Sequence, residues 1–200
     1  MTEIKLFNRW SYEGIEIKDL GIKPYINLQP VFIPKTGGKF SKHPFYKSKM
    51  NIVERLINKM MVPGHRGKKH LLTSGRATGQ TQTIIKIVKK VFEKLEKETK
   101  KNPIEVLVTA IGNAALREEI TSYQMGGIMV RKAVVTSPQR RVDLALRVIV
   151  QSAYRKAFGK KVTMANALFN EIFFAYQNDA SKSEAIKEKE RIEREAGGAR

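Results

Sequence analysis

The sequence predicts a mainly α-helical fold: a bundle of about six helices with a β-hairpin arm inserted between the third and fourth helices, plus an extended basic N-terminal region. Three observations support this prediction. Apolar residues recur at helical spacing in several stretches after residue 50. Two short β-branched runs flank Gly126-Gly127, and the first 49 residues show little periodicity. The 200 residues include no cysteine, so the expected core forms without disulfides.

Residues 1–49 are predicted to form an extended N-terminal arm, partly ordered on RNA, and residues 50–200 a helical domain. Prolines and isolated apolar residues such as Trp10 characterise residues 1–34, and these apolar side chains need a surface to pack on. Residues 35–49 are rich in lysine and have no regular pattern, which is typical of a segment that becomes ordered on a partner.

The first three helices have clear signals. Residues 50–62 and 81–100 each carry an apolar stripe with polar residues off it. The sequence Asn102-Pro103-Ile104-Glu105 combines a capping residue, a proline suited to the first turn and an acidic residue near the helix start. We expect the third helix to run from there to about Leu116.

A β-hairpin is predicted over residues 117–136, with strands at 120–124 and Ile128–Val135. Gly126-Gly127 supplies the positive φ angles that a tight hairpin turn needs. An isolated two-stranded ribbon is marginally stable in water. Such an arm either packs on its own helices or reaches into a nucleic-acid groove, and the sequence leaves both alternatives open.

Three more helices follow. Ser137-Pro138 predicts the start of a helix of about twenty residues that ends at Gly159. Thr163 starts a fifth helix, which reaches about residue 178. Residues 181–184 have the sequence of a capping box and predict a last, polar helix that ends at Gly197-Gly198.

The charge distribution points to a polyanionic partner. The net charge is +19, and residues 35–92 (+13) and 120–162 (+8) carry all of the excess. Solubility alone would not require this segregation, whereas nucleic acid or an anionic membrane surface would favour it. With no signal-peptide pattern and no apolar run long enough to cross a membrane, we expect a soluble intracellular protein.

The fourth predicted helix has two contrasting faces. One is apolar and the other presents guanidinium groups, whose planar fork matches phosphate: Val142, Ala145, Leu146, Ile149 and Ala153 against Arg140, Arg147 and Arg155. Arg140 and Arg141 also lie in the first turn, where the helix dipole disfavours cations. We therefore expect something outside the fold to compensate them. A solvated face with incidental arginines is the alternative.

Other functional patterns are weaker. The loop over residues 63–80 contains a G-x-x-G motif, which is typical of KH domains, but helices rather than strands flank it. His43, His65 and His70 lack metal-ligand spacing, and the basic segments hold no pair of carboxylates. We predict that the protein is not an enzyme and that it binds no metal ion and no cofactor. A DNA-binding architectural protein with a β-arm is one alternative, and an RNA-modifying enzyme is another.

The segments NPIEVLVTAIGNAALREE, GGI and AVVTSPQRRVDLALR resemble the universal small-subunit ribosomal protein S-seven family. The segments KLFNRWSYEGIEIKDLGIKPYI, IVERLINKMM and EAIKEKERIEREAGGAR resemble its archaeal and eukaryotic branch, whose eukaryotic members are called S-five-e. The resemblance covers essentially the whole chain in the same order. It implies the helical bundle with the inserted hairpin that the residues themselves predict.

The resemblance also implies a function. Family members bind the 3′ major (head) domain of small-subunit rRNA, nucleate head assembly, and place the hairpin near the E-site tRNA and the mRNA exit path. They contact small-subunit protein S-eleven and other head proteins, as monomers within the cytoplasmic ribosome, with no membrane partner. The implied rRNA contacts fall in three basic groups: Lys35, Lys39, Lys42, Lys47, Lys49 and Arg55; Arg66, Lys68, Lys69 and Arg76; Arg131, Lys132, Arg140, Arg141 and Arg147. The implied tip near tRNA and mRNA comprises Gln124, Met125, Gly126, Gly127, Ile128 and Met129.

Overall fold

A computed structural model describes residues 3–64 and 80–200. Within these ranges the helices and strands follow one another in this order: α1 Ile52–Met60, α2 Thr81–Thr99, α3 Pro103–Ala114, β1 Glu118–Met125, β2 Ile128–Val135, α4 Pro138–Ala157, α5 Met164–Tyr176 and α6 Glu184–Gly197. The described part therefore confirms the predicted architecture of six helices with a hairpin between the third and the fourth.

Helices α3 and α5 form the centre of the bundle. Both are apolar on most sides, and α5 packs against α2, α3 and α4. The surrounding helix α2 buries a single stripe that includes Ile84, Val88 and Leu95, as the predicted periodicity requires. The charged sides of the outer helices consequently remain available for contacts with partners.

Side-chain caps define where the helices begin. Asn102 Oδ1 accepts a hydrogen bond from the Ile104 amide at 3.0 Å, which confirms the predicted start of α3. The capping box at 181–184 is corrected: Ser183, not Ser181, caps α6 through the Ile186 amide at 3.4 Å. Ser181 instead donates its own amide to Asp179 in the preceding turn, so the helix begins at Glu184.

The N-terminal segment packs on the helices. Leu6, Trp10 and Ile22 are buried in the core, and the Trp10 ring lies edge-on to Phe92 at 5.5 Å between centroids. Arg9 Nη1 donates to the carboxylate of Glu93 at 2.6 Å. Trp10 thus finds its packing surface on α2. The prediction that part of residues 1–49 becomes ordered on RNA stays a prediction.

The hairpin has a docked base and a projecting tip. Met125 pairs with Ile128 across a two-residue loop, in which Gly126 and Gly127 have φ angles of 57° and 84°. Two consecutive positive φ angles are those of a type I′ turn, which confirms the predicted role of the two glycines.

The end of α6 supports the base of the hairpin. The Ala133 amide donates to the Ala199 carbonyl at 3.3 Å, and Arg200 Nη2 donates to both carboxylate oxygens of Glu118 at 2.6 Å. Residues 121–129, by contrast, are all exposed. The base therefore packs on the protein's own helices, which is the first of the two alternatives, and contact of the exposed tip with nucleic acid stays a prediction.

Candidate nucleic-acid interface

Helix α4 shows the two faces that its sequence predicts. The apolar face is buried, as expected: Val142, Ala145, Leu146, Ile149 and Ala153. On the other face, Arg140 and Arg147 are exposed, whereas Arg155 Nη1 pairs with Glu184 of α6 at 3.3 Å. The row of three guanidinium groups is thus shortened to two groups that face solvent.

Arg140 is positioned by the base of the hairpin. Its Nε and Nη2 atoms donate to the Glu119 carboxylate at 2.7 and 2.8 Å, in the bidentate geometry that guanidinium favours. The hydrogen bond to Glu119 raises the pKa of Arg140, against a smaller opposing effect of burial. The side chain still remains about half exposed, so it can reach a phosphate beside this pair.

Arg141 makes contacts inside the protein. Its Nε donates to the Leu116 carbonyl at 2.9 Å, its Nη2 pairs with Asp19, and only 11% of the side chain is exposed. Burial alone would raise the pKa of Asp19, but the Arg141 hydrogen bond, the Gly21 amide and nearby arginine charges hold it below its usual value. The expectation that something outside the fold compensates Arg140 and Arg141 is therefore wrong, because Glu119 and Asp19 already do so.

Arg55 of α1 is also turned inward. Its side chain is 4% exposed, and it donates to the Tyr25 carbonyl at 2.7 Å and to Asp143 Oδ1 at 2.9 Å. The Lys47 ammonium pairs with the second oxygen of the same carboxylate. Asp143 therefore connects α4 with both α1 and the segment 35–49.

A second carboxylate anchors the beginning of the same segment. Glu54 Oε1 accepts hydrogen bonds from both the amide and the hydroxyl of Thr36, each at 2.7 Å. Glu54 and Asp143 are the single acidic residues of the two strongly basic segments. Both are used to hold residues 35–49 on the body, which leaves the surrounding positive charge largely uncompensated.

A basic cleft opens between α1 and α4, with a volume of about 270 Å³. Its lining includes Lys47, Lys59, Asp143 and Arg147. Burial lowers the pKa of Lys59, the charges of Arg147 and Lys47 lower it further, and Asp143 offsets them only in part. Within residues 3–64 and 80–200, neither Lys59 nor Arg147 has an ion-pair partner. A phosphate here would relieve their mutual repulsion.

Lys59 is the residue that the sequence analysis missed. It lies four positions after Arg55 on the same helix, and residues four apart share a face. That spacing, together with its place in the +13 segment, is the signal that could have identified it. The structure brings Lys59 together with three of the expected residues, Lys47, Arg55 and Arg147.

The other lysines of residues 35–49 lie on the surface. Lys35, Lys39, Lys42 and Lys49 are all exposed. Lys49 Nζ lies 4.1 Å from the centre of the Tyr46 ring, and Lys39 Nζ lies 5.9 Å from that of Phe40. This segment therefore presents ammonium groups beside aromatic rings.

Arg131 and Lys132 extend from the hairpin, opposite Ser122 and Thr121. Since neighbours along a strand alternate between faces, the two charges lie on opposite faces of the arm. Beyond them, the six tip residues 124–129 are exposed and uncharged, and three of them are large apolar residues. The positive charge of the arm is thus confined to its middle.

Arg66, Lys68, Lys69 and Arg76 lie outside the described residues, as does most of the G-x-x-G loop. In the part of the chain that the structure covers, no cluster of three or more histidine, aspartate or glutamate side chains has the geometry of a metal site. Likewise, none of the helices described has the length and apolar character needed to cross a membrane.

Comparison with known proteins matches this architecture to one family. Residues 31–200 match the family described as ribosomal protein S7p/S5e. The small ribosomal subunit protein uS7 of Nanoarchaeum equitans is 48% identical over 198 residues, 99% of this chain and 100% of that protein. The uS7 protein of Archaeoglobus fulgidus is 44% identical, over 99% of this chain and 96% of that protein. The uS7 protein of Methanococcus aeolicus is 43% identical, over 99% of this chain and 100% of that protein. The chain therefore belongs to the ribosomal protein S7p/S5e family, in its archaeal and eukaryotic branch.

Proposed function

We propose that this chain is a structural protein of the small ribosomal subunit, which binds the 3′ major domain of the rRNA and nucleates assembly of the head. The observation that carries this proposal is the basic cleft between α1 and α4, whose Lys59 and Arg147 have no anionic partner among the described residues. The names of the relatives, all small ribosomal subunit proteins, supply the context.

The cleft and the lysines of residues 35–49 form the proposed rRNA surface, together with the half-exposed Arg140. Phosphate contacts from such groups supply affinity and position, because guanidinium and ammonium groups displace condensed counterions. Arg55 and Arg141 act differently from the other basic residues. They hold the segment and α4 in place, so they support this surface from within.

The hairpin is proposed to reach the E-site tRNA and the mRNA exit path. Its exposed tip extends away from a base that α6 holds in place, as a reaching arm requires. The neighbouring partners in this proposal are small-subunit protein S-eleven and other head proteins. The chain acts as a monomer within the cytoplasmic ribosome, and the proposal assigns it no catalytic activity, no cofactor and no membrane contact.

One observation favours a second candidate, a DNA-binding architectural protein. Met125, Ile128 and Met129 at the tip are exposed apolar side chains, and proteins that bend DNA insert such wedges between base steps. Binding to duplex DNA therefore belongs in the same experiment as binding to rRNA.

The test is binding of the full chain to the 3′ major domain of small-subunit rRNA, to an unrelated structured RNA and to duplex DNA of equal length, over a salt series. We expect the rRNA domain to bind tightest, with a preference that persists at raised salt because it depends on shape. A preference for duplex DNA would favour the second candidate. Equal binding to all three, lost together with salt, would contradict specific rRNA recognition by the chain.

A further inference from the structure

The aromatic ring of Phe45 faces solvent in a segment whose neighbours are basic. Its residue is 75% exposed, more than any other phenylalanine among the described residues. Its backbone has a φ angle of 64°, in the left-handed region. Bulky residues rarely adopt this conformation, which costs on the order of 1 kcal/mol for a residue with a side chain.

The turn itself gains nothing from a phenylalanine at this position. The Phe45 carbonyl accepts hydrogen bonds from the Ser48 amide at 3.1 Å and the Ser48 hydroxyl at 2.8 Å, and both use the backbone of residue 45 only. Glycine or asparagine would adopt the same φ angle with less strain. Since the ring is not buried either, packing within the free protein does not offset this strain.

The surroundings of Phe45 indicate what the ring would contact. The rings of His43 and Tyr46 lie 4.7 Å apart, and Lys49 caps the Tyr46 ring at 4.1 Å. Lys42 is exposed and has no ion-pair partner among the described residues. No acidic residue occurs between positions 35 and 53. Aromatic faces beside ammonium groups are the combination that binds single-stranded nucleic acid.

We propose that Phe45 is a stacking platform for one unpaired nucleobase of RNA, with Lys42 and Lys49 contacting the flanking phosphates. The inference rests on the proposed rRNA-binding function and names the kind of nucleotide that this part of the surface recognises. A base inside a duplex has both faces covered by its neighbours, so only an unstacked base offers a face to the ring.

The first test compares Phe45→Asn with wild type on the 3′ major rRNA domain over a salt series. Stacking of one base predicts an affinity about five- to 150-fold lower at every salt concentration, with an unchanged salt slope. Lys42→Gln should instead reduce the slope by about 0.7 to 0.9, because it removes a phosphate contact. Phe45→Tyr should retain the affinity of wild type, and Phe32→Asn, at an exposed ring in the segment 1–34 of zero net charge, should leave it unchanged.

The melting temperature of Phe45→Asn distinguishes a role of Phe45 in RNA recognition from a role in the structure of the protein. Relief of the left-handed strain predicts that Phe45→Asn has a melting temperature equal to or above that of wild type, while its affinity falls. A variant that loses affinity and stability together would overturn the proposal. So would a Phe45→Asn variant that binds the rRNA domain as tightly as wild type.

A second probe isolates the unpaired base. A single-stranded 12-nucleotide RNA and a 12-base-pair RNA duplex are compared at equal salt. We expect Phe45→Asn to lower affinity for the single strand and not for the duplex, and an equal effect on both would overturn the inference. Failure of the proposed function is distinguishable, because there the wild-type chain itself would show no preference for the rRNA domain.

Discussion

The guanidinium group of Arg55 and the carboxylate of Asp143 form a 2.9 Å ion pair across 88 positions of the chain. Asp143→Asn would leave the nearly buried Arg55 charge without its partner and release Lys47 as well. Since Asp143 is partly exposed, we expect a loss of about 2–3 kcal/mol in the free energy of unfolding. Urea denaturation measures this loss. Glu98→Gln, on the exposed surface of α2, is the control variant. Equal stabilities would show that this junction does not hold the fold.

The basic cleft predicts specific salt effects. Lys59→Gln and Arg147→Gln should each lower the salt slope of rRNA binding by about 0.7 to 0.9, without loss of stability, because each removes one phosphate contact. Arg141→Gln is the contrasting variant, since it removes internal hydrogen bonds and should lower the free energy of unfolding. Unchanged slopes for both cleft variants would place the rRNA elsewhere on the surface.

The effect of Lys59 on the stability of the protein should depend on pH. Its pKa in the folded protein is below the usual 10.5, so its protonated form opposes folding. The cost in folding free energy is complete at pH values below the pKa of folded Lys59. It disappears as the pH rises from that pKa to 10.5, the pKa of the unfolded chain. We expect Lys59→Gln to be slightly more stable than wild type at pH 7, with the difference shrinking as the pH rises towards 10.5 and absent above it.

Direct titration of the lysine side chains by NMR is the independent measurement. Lys59 should titrate below the usual 10.5, and Arg147→Gln should move its pKa upward, because that variant removes a neighbouring positive charge. RNA binding should raise it too, since phosphate favours the ammonium form. A Lys59 pKa at or above 10.5 in the free protein would rule out the crowded positive cleft.

The hairpin tip can be shortened without breaking its turn. Removal of residues 122–125 and 128–131 keeps Gly126-Gly127 as the loop and joins it to Thr121 and Lys132, which are register partners. Because the removed residues are almost all exposed, we expect the free energy of unfolding to change by less than about 1 kcal/mol. Circular dichroism and urea denaturation check this expectation. A shortened chain that does not fold would show that the arm contributes to the core.

Asp19 predicts a stability difference that depends on acidity. Its folded pKa is below the usual 3.8, so its pairing with Arg141 stabilises the protein fully above that value and less as the pH falls through the folded pKa. Asp19→Asn should therefore cost about 1–2 kcal/mol at pH 7. The cost should shrink below pH 3.8, as denaturation at several pH values would show. A constant difference would exclude the ionised pair as its cause.

The fold was predictable because its signals are local. The apolar stripes, the Asn102-Pro103 start and the Gly126-Gly127 turn each act within a few residues. The hairpin was predicted over residues 117–136, but its first strand was predicted to begin at residue 120. It begins at Glu118, because contacts with α6 hold the base, and no local pattern encodes them. Distant packing likewise decided that Trp10 packs on α2.

The candidate site was predictable only as a set of charges. The sequence analysis assigned Arg140, Arg141 and Arg147 alike to the implied rRNA contacts. The structure separates them, because Asp19 lies 122 positions before Arg141 and draws it inward, while Arg147 keeps an open cleft. Which arginine is internal depends on where distant carboxylates fold, and a helical-wheel argument contains no such information.

The junction at Asp143 has a consequence for the order in which the chain is made. Lys47 and Arg55 leave the translating ribosome before Asp143 has been added, and Asp19 likewise precedes Arg141. At roughly 5–20 residues per second, the 88 positions between Arg55 and Asp143 correspond to roughly 4–18 s of synthesis. For that time the most basic segment of the nascent chain lacks the α4 carboxylate that later secures it. The contacts of Lys47 and Arg55 with α4 therefore form only after Asp143 has been synthesised, whereas the partners of Trp10 and Arg9 on α2 are made earlier.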